Sequence, residues 1–153
     1  MSKYLKIGAL IFVDQIIKFI VRTFMAVGQT IPIIPGIFHI TRVQNRGVAW
    51  GSFEGMTLLT VVLPIILIGV IIFFMEKKKE NITPFLSWAL VIVVGGGLSN
   101  QIDRIFLGSV TDMIDFRVWP VFNLADMAVV CGCIMVIIYV LFLDKKGKAK
   151  KES

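Results

Sequence analysis

The sequence is poor in histidine and cysteine. It contains only His39, Cys131 and Cys133. So few nitrogen and sulfur groups make a weak ligand set for zinc, and a histidine-dependent triad would have to use His39 alone. The two cysteines lie two residues apart, where a helix points them to different faces, and we expect both to be small buried residues. A secreted disulfide scaffold is therefore excluded, and we expect no metal and no cofactor.

Charged residues are also scarce. They make up 17% of the 153 residues, against about 25% in soluble domains, whereas hydrophobic residues reach 57%. The mean hydropathy is +0.87. A soluble domain this small covers most of its surface with polar groups, which this composition cannot do, and disorder is excluded by the hydrophobicity. The chain is expected to be a single integral membrane domain over residues 1–153.

Four apolar stretches are long enough to cross a membrane as helices. The predicted spans lie at about residues 4–25, 57–75, 84–106 and 120–143. The first is the weakest by hydropathy because it holds Asp14, Lys18 and Arg22. A cleaved signal peptide is the alternative there, but Asp14 interrupts its apolar run and no small-residue cleavage site follows. The sequence thus predicts an all-α membrane fold with four transmembrane helices.

Lysine-rich segments predict the orientation of these helices. They comprise Lys3 and Lys6, residues 76–80, and the basic tail 144–153, and together they carry the whole net charge of +6. Positive segments stay in the cytoplasm, so four spans with both termini cytoplasmic satisfy all three. Because the lysines flank predicted spans, we expect contact with anionic lipids rather than with nucleic acid.

Two segments are then extracytoplasmic. Residues 26–56 form a long loop with a short β-like run, IFHITRV, and an apolar content that favours the membrane surface. Residues 107–119 are predicted as a loop joining the third and fourth spans. Asp112 lies in this loop just above the membrane, and Asp115 is expected to be a solvated surface acid.

Polar residues of three predicted spans converge in the outer leaflet. Asn100 and Asp103 lie three apart on one face of the third span, and Asn123 and Asp126 repeat this spacing in the fourth. Ionisable groups in a membrane are costly and suggest function. Structural alternatives stay open: an Asp14–Lys18 ion pair, hydrogen bonding between helices by the asparagines, and close helix packing at Gly95-Gly96-Gly97.

Asp126 is the hardest of these to explain as structural, because no Lys or Arg lies within one helical turn of it. A lone carboxylate in a span should be protonated or should share a proton with another acid, and Asp112 is the natural partner. Such a pair can activate water with one carboxylate and protonate a carbonyl oxygen with the other. The residues thus suggest an Asp112–Asp126 dyad that needs neither metal nor histidine.

The chain resembles the lipoprotein signal peptidases, or signal peptidase II, of bacterial membranes. Five short segments carry the resemblance in order and cover nearly the whole chain: DQIIK from Asp14, NRGVAWG from Asn45, SNQIDR from Ser99, VTDMID from Val110 and FNLAD from Phe122. Ser99 stands where the family usually has Gly, and Met113 where it often has Phe. We expect these two departures to change packing rather than to abolish activity.

The resemblance implies an intramembrane aspartic endopeptidase. It would remove signal peptides from diacylglyceryl-modified prolipoproteins by cutting just before the lipid-modified cysteine, with Asp112 and Asp126 catalytic. The resemblance implies these supporting and substrate-binding residues: Asp14, Lys18, Asn45, Gly47, Asn100, Asp103, Arg104 and Asn123. It also implies a small outer β-sheet, and a plasma (inner) membrane location with the active site at the extracytoplasmic side. Membrane lipids and a cyclic-peptide inhibitor of the globomycin type are further expected partners, and a monomer is expected.

Two non-enzymatic alternatives remain at this point. A small transporter subunit would need polar groups along a path through both leaflets, whereas the inner halves of these spans are almost entirely apolar. A membrane scaffold would explain an Asp14–Lys18 pair but not the unpaired Asp126.

Overall fold

The computed structural model describes residues 2–47 and 57–143 as four helices and a three-stranded antiparallel sheet. In chain order the elements are α1 (Lys3–Phe24), β1 (Thr30–Ile34), β2 (Phe38–Asn45), α2 (Leu63–Lys77), α3 (Pro84–Leu107), β3 (Val110–Asp115) and α4 (Leu124–Ile138). Short π-helical turns precede α2 (Leu58–Val62) and follow α4 (Tyr139–Leu143). The prediction of a mostly helical membrane protein with a small sheet is confirmed. The last part of the outer loop, residues 48–56, and the basic tail 144–153 lie outside the described residues.

Within residues 2–47 and 57–143, three helical segments are long and apolar enough to cross a membrane: Leu58–Lys77, Pro84–Leu107 and Leu124–Leu143. Helix α1 is long enough as well, with 22 residues or about 33 Å. Its internal charges set it apart from the other three. Asp14 and Lys18 are fully buried, whereas Phe12 and Phe19 on its outer side are 66% and 62% exposed. The helix therefore turns its polar face inward, the reverse of a helix on a soluble protein.

Helix α3 lies at the centre of the bundle and packs most closely against α4. A Cβ on Gly96 would collide with the carbonyl oxygen of Ala125, and one on Gly132 would lie 2.8 Å from the carbonyl oxygen of Ala89. The two helices thus meet backbone to backbone, as small residues permit in membrane bundles. This confirms the prediction that the Gly95-Gly96-Gly97 run lets helices approach closely.

The sheet has the order β1-β2-β3, and it caps the end of the bundle at which α3 stops. Gly108 ends α3 in a left-handed conformation, with φ of 71°, which favours glycine. The chain then turns back to pair with β2, placing Asp112 opposite Val43. The prediction of a loop over residues 107–119 was wrong for this stretch, because β2 supplies the backbone partners that make Val110–Asp115 a strand.

Asp115 at the end of β3 is not the solvated surface acid that was predicted. Its side chain accepts hydrogen bonds from Thr41 (2.6 Å) and Arg117 (3.0 Å), and the residue is only 3% exposed. Burial acts to raise the pKa of Asp115, but these hydrogen bonds and the Arg117 charge outweigh it and hold that pKa below its ordinary value. Asp115 therefore fastens β3 to β2.

Helix α4 begins at Leu124, four residues later than predicted, because Phe122 still pairs with Ile114 of β3 through its backbone. The prediction that Cys131 and Cys133 are buried was also wrong, since both are exposed on α4. In a bundle whose outer surface is itself apolar, a small apolar side chain has no reason to turn inward.

Candidate active site

Lys18 is the centre of a buried ion-paired cluster formed by α1 and α3. Its Nζ lies 2.8 Å from Asp14 and 3.2 Å from Asp103, and all three side chains are fully buried. Arg22 adds a second, weaker cation, 3.4 Å from Asp103. Burying charge is costly unless the charges are paired and hydrogen-bonded, and these conditions are met here. The predicted Asp14–Lys18 ion pair is therefore confirmed. We call Asp14, Lys18, Arg22 and Asp103 the ion-paired cluster.

Both acids of this cluster also bind backbone from neighbouring elements. Asp14 accepts a hydrogen bond from the N–H of Ala125 at the start of α4 (3.0 Å), and Asp103 accepts one from Thr111 N–H on β3 (3.1 Å). The cluster thereby fixes the beginning of α4 and the position of β3 relative to α1 and α3.

Asp112 lies on β3 and is 2% exposed. One carboxylate oxygen accepts a hydrogen bond from the amide of Asn45 on β2 (3.1 Å), and the other from the amide of Asn123 (2.7 Å). Burial first, and then the nearby charge of Asp126, raise the pKa of Asp112 to about 6, against the lowering effect of the two amides and of Lys18. A carboxyl group with this pKa exchanges its proton near neutral pH.

Asp126 lies in the first turn of α4 and is partly exposed. Its two oxygens accept hydrogen bonds from the Asn100 side chain (2.7 Å) and from the backbone N–H of Asn123 (3.1 Å). The Asn123 side chain in turn accepts from the N–H of Asp126 (2.8 Å), which completes a capping box at the start of the helix. The helix cap thus holds Asp126 in place.

Asn123 joins the two carboxylates. Fully buried, it caps α4 around Asp126 and donates its side-chain amide to Asp112. Asn100 then connects this pair to the ion-paired cluster, because it accepts from Lys18 (2.9 Å) while it donates to Asp126. The prediction that these side chains lie together is borne out by this continuous network. We call Asp112 and Asp126 the dyad.

The remaining predicted site residues border the dyad on the β2 side. Asn45 accepts a hydrogen bond from Gly47 N–H (3.0 Å) while it donates to Asp112. Arg104 donates to the carbonyl oxygen of Gly47 (3.3 Å), and its Nε has no hydrogen-bond partner in the described residues. All ten predicted site residues therefore fall in the network or at its edge.

Sequence reasoning missed three contributors to the ion-paired cluster. The Gln15 amide donates to Asp103 (2.9 Å) and to Ser99, and the Ser99 hydroxyl donates to Asp14 (2.6 Å). Thr111 receives a hydrogen bond from Arg22 (3.3 Å) and gives its N–H to Asp103. The one available signal was Ser99, whose hydroxyl directly follows a run of apolar residues and glycines. Met113, the other departure, packs against Val21 and Met25.

Solved structures share this architecture. Two bacterial membrane enzymes, determined by the in meso method at 2.3 and 1.9 Å resolution, superpose with TM-scores of 0.86 and 0.81 at 32% sequence identity. The first match covers 99% of this chain and 92% of the other, and the second covers 92% and 93%. The chain therefore has the fold of a bacterial membrane enzyme.

Sequence comparisons identify the family. The family model described as Signal peptidase (SPase) II matches residues 7–142. Lipoprotein signal peptidases of Halothermothrix orenii and Fusobacterium nucleatum are 42% and 39% identical, over 94% and 92% of this chain and 98% and 87% of their own lengths. That of Staphylococcus aureus is 38% identical over 91% of this chain and 86% of its own. The chain belongs to the signal peptidase II family, and it is an aspartic endopeptidase.

Proposed function

We propose that this enzyme removes signal peptides from diacylglyceryl-modified prolipoproteins, cutting just before the lipid-modified cysteine. The similar proteins are named as lipoprotein signal peptidases, which supports this class of substrate. Asp112 and Asp126 are the proposed catalytic residues, and a water molecule is the proposed nucleophile.

One observation carries the catalytic assignment. In the described segments the dyad accepts hydrogen bonds only from neutral amides, and no cation lies within salt-bridge distance of it. Asp14 and Asp103, by contrast, share the charge of Lys18. Two neighbouring acids without a paired cation share a proton, because two like charges held close together repel each other.

The proposed reaction uses the two protonation states of this pair. The ionised carboxylate takes a proton from water as the water oxygen attacks the scissile carbonyl carbon, and the protonated carboxyl group gives its proton to the carbonyl oxygen. When the tetrahedral intermediate collapses, the C–N bond breaks and the leaving amine of the cysteine takes a proton from the carboxyl group that had accepted it from water. The other carboxylate takes a proton back from a hydroxyl of the intermediate, so the dyad again holds one proton. The charge of Asp126 helps to raise the pKa of Asp112 to about 6, so the pair holds one proton below that pH and loses it above. We therefore expect kcat/KM to fall as pH rises above about 6, because the dyad then has no proton to give to the carbonyl oxygen.

In this proposal, the residues around the dyad either hold its carboxylates in position or bind the substrate. Asn123 and Asn45 hold the Asp112 carboxylate, Asn100 holds that of Asp126, and the ion-paired cluster fixes the helices that carry them. Gly47 and Arg104 lie beside Asn45, where an extended peptide can contact the Gly47 backbone. These two residues are proposed to bind the substrate backbone.

The proposed setting is the plasma membrane, with α1 as a fourth span and both termini cytoplasmic. The fully buried charges and exposed aromatic residues of α1 support its placement in lipid. Lys3, Lys6 and the lysines at 77–79, which lie at the end of the bundle away from the sheet, favour the cytoplasm. The dyad would then face the outer leaflet, where a membrane-tethered precursor presents its cleavage site.

The test is cleavage of a diacylglyceryl-modified prolipoprotein by the purified enzyme in lipid. Asp112→Asn and Asp126→Asn are expected to fold and to be inactive, whereas Glu76→Gln, the same type of change at the opposite end of the bundle, should retain activity. If the wild type is silent on several well-lipidated precursors, the proposed substrate is wrong. If one dyad variant cleaves at the wild-type rate, that aspartate is not catalytic.

A further inference from the structure

Two apolar furrows run along the outer surface of α4 from the level of the dyad. The loop-side furrow lies between α4 and the chain before it, where Trp119 and Phe122 form one wall, and has a volume of about 370 Å³. The α1-side furrow lies between α4 and Ala9, Leu10 and Val13 of α1, and has a volume of about 480 Å³. Both volumes fall within the roughly 300–1,000 Å³ of small-molecule sites.

Met127 and Cys131 line both furrows and form the ridge between them. They lie four residues apart on one face of α4, so the ridge follows the helix axis for about 6 Å. Among the described residues that line the furrows, Asp126 is the one carboxylate, and it lies at the end of the loop-side furrow nearest the start of α4. The furrows thus form a pair separated by one ridge; the loop-side furrow begins beside Asp126, and the α1-side furrow begins at Leu124, two residues earlier on the same helix.

We propose that the two furrows hold the two acyl chains of the substrate's diacylglyceryl group, one on each side of the Met127–Cys131 ridge. This inference rests on the proposed function and specifies where that substrate lies. The scissile bond directly precedes the lipid-modified cysteine, so the glycerol that carries both chains must lie within a few bonds of the dyad. From there, the furrows provide two apolar paths along α4.

The shape of this surface distinguishes it from a smooth apolar helix face. Bulk lipid covers any apolar face of a membrane protein, and this contact does not require a particular surface shape. Two furrows that share a ridge and both start in the first turn of α4, one of them beside Asp126, match a ligand with two chains joined at one end. Cys131 becomes a specificity-determining residue, because a larger side chain on the ridge narrows both furrows at once.

The two natural cysteines provide a matched test. Cys131→Trp fills the furrows, whereas Cys133→Trp adds the same bulk to another exposed position of α4 that lines neither furrow. We expect Cys131→Trp to raise KM about 10-fold for a substrate with long acyl chains, with kcat nearly unchanged and a smaller effect for short chains. Cys133→Trp should match the wild type. Equal kinetics for the two variants, or an equal loss in both, would overturn the proposal.

A second measurement avoids mutating the furrows. A prolipoprotein with photoreactive groups on its acyl chains is bound to the inactive Asp112→Asn enzyme and irradiated, and the cross-linked residues are mapped. We expect cross-links at Met127, Val130 and Cys131 and on the α1 wall, lost with excess unlabelled substrate but not with phospholipid. Labelling spread evenly around the bundle would mean bulk lipid contact only. Because wild-type cleavage is measured with the same substrate, failure of the furrow assignment is distinguishable from failure of the proposed function.

Discussion

The ion-paired cluster and the dyad are two groups of acids linked through Asn100. Their carboxylates differ in the groups that bind them. In the cluster, Lys18 lies between two fully buried carboxylates. In the dyad, each carboxylate is held by amide groups. The first arrangement fixes charge in place, because each anion has a cation. The second fixes geometry but leaves the protonation state free to change.

This difference explains how a small bundle can hold an acid–base site without histidine. A cation at the dyad would favour the ionised form of both carboxylates and would remove the proton that the reaction needs. Carboxylates with no hydrogen-bond donors around them, on the other hand, would not be held in a fixed position. Asn100 and Asn123 hold the two carboxylates in place, because their side-chain amides donate hydrogen bonds but carry no charge.

The largest expected effect is a loss of activity when the dyad is changed, in contrast to a loss of stability when the ion-paired cluster is changed. Asp112→Asn and Asp126→Asn should each lower kcat by about 10³-fold or more, while thermal unfolding in detergent stays near that of the wild type. Asp14→Asn should instead lower the melting temperature, because it leaves part of the Lys18 charge unpaired. If the dyad variants unfold as readily as Asp14→Asn, the dyad has a structural role and the comparison fails.

The next largest effect is expected when the central cation of the ion-paired cluster is removed. Lys18→Met leaves Asp14 and Asp103 buried without their shared partner and should cost about 3–5 kcal/mol of stability. Lys3→Met is the matched control, because its ion pair with Glu76 is partly exposed, and it should cost less than about 1 kcal/mol. Chemical unfolding curves of the purified variants measure both values. Similar losses in the two variants would show that Lys18 is not the centre of the cluster.

A third effect appears as a pH dependence of stability. The pKa of Asp112 in the folded protein is about 6 against an ordinary value of 3.8, so the folded state binds this proton more tightly than the unfolded state. Stability should therefore fall as pH rises from about 4 to about 6, by about 2–3 kcal/mol, and then level off. Unfolding curves across this window test it. Asp112→Asn should remove this component, and an unchanged slope in that variant would assign it to another group.

The smallest effect concerns Ser99, the departure from the family pattern. Ser99→Ala removes a hydrogen bond to a buried carboxylate and should cost about 1–2 kcal/mol, while Asp14 keeps Lys18 and the Ala125 N–H. Cleavage should persist, because Ser99 does not contact the dyad. Ser87→Ala on the same helix is the control and should change stability by less than about 0.5 kcal/mol. A Ser99→Ala enzyme that folds normally but has lost activity would contradict this separation.

Local patterns were enough to predict the helices, the Asp14–Lys18 pair and the close packing at the glycines. Spacing along one helix determines these features, since residues three or four apart share a face. The strand β3 was missed because its partner, β2, lies about 70 residues earlier in the chain. The burial of Asp115 was missed for the same reason, because Thr41 on β2 is one of its partners.

The wrong prediction that Cys131 and Cys133 are buried had a different cause. In a soluble protein an apolar residue is expected inside, but the outside of this bundle is also apolar, so hydropathy does not determine which face of α4 points inward. The glycines do determine it, because Gly132 must face α3, where a Cβ would meet the Ala89 carbonyl. Contact at the backbone level is therefore the better guide to the inner face of such a helix.

The order of the site residues along the chain has a consequence for biogenesis. Asn100, Asp112, Asn123 and Asp126 all lie within the α3–β3–α4 unit, and the network that joins them spans at most 26 residues. This unit can enter the membrane as one helical hairpin that already carries the dyad and both of its central amides. Helix α1 is synthesised first, so its buried Lys18 must await the hairpin before it meets Asp103 and Asn100. Completion of the ion-paired cluster is thus the step that unites the first-made helix with the last.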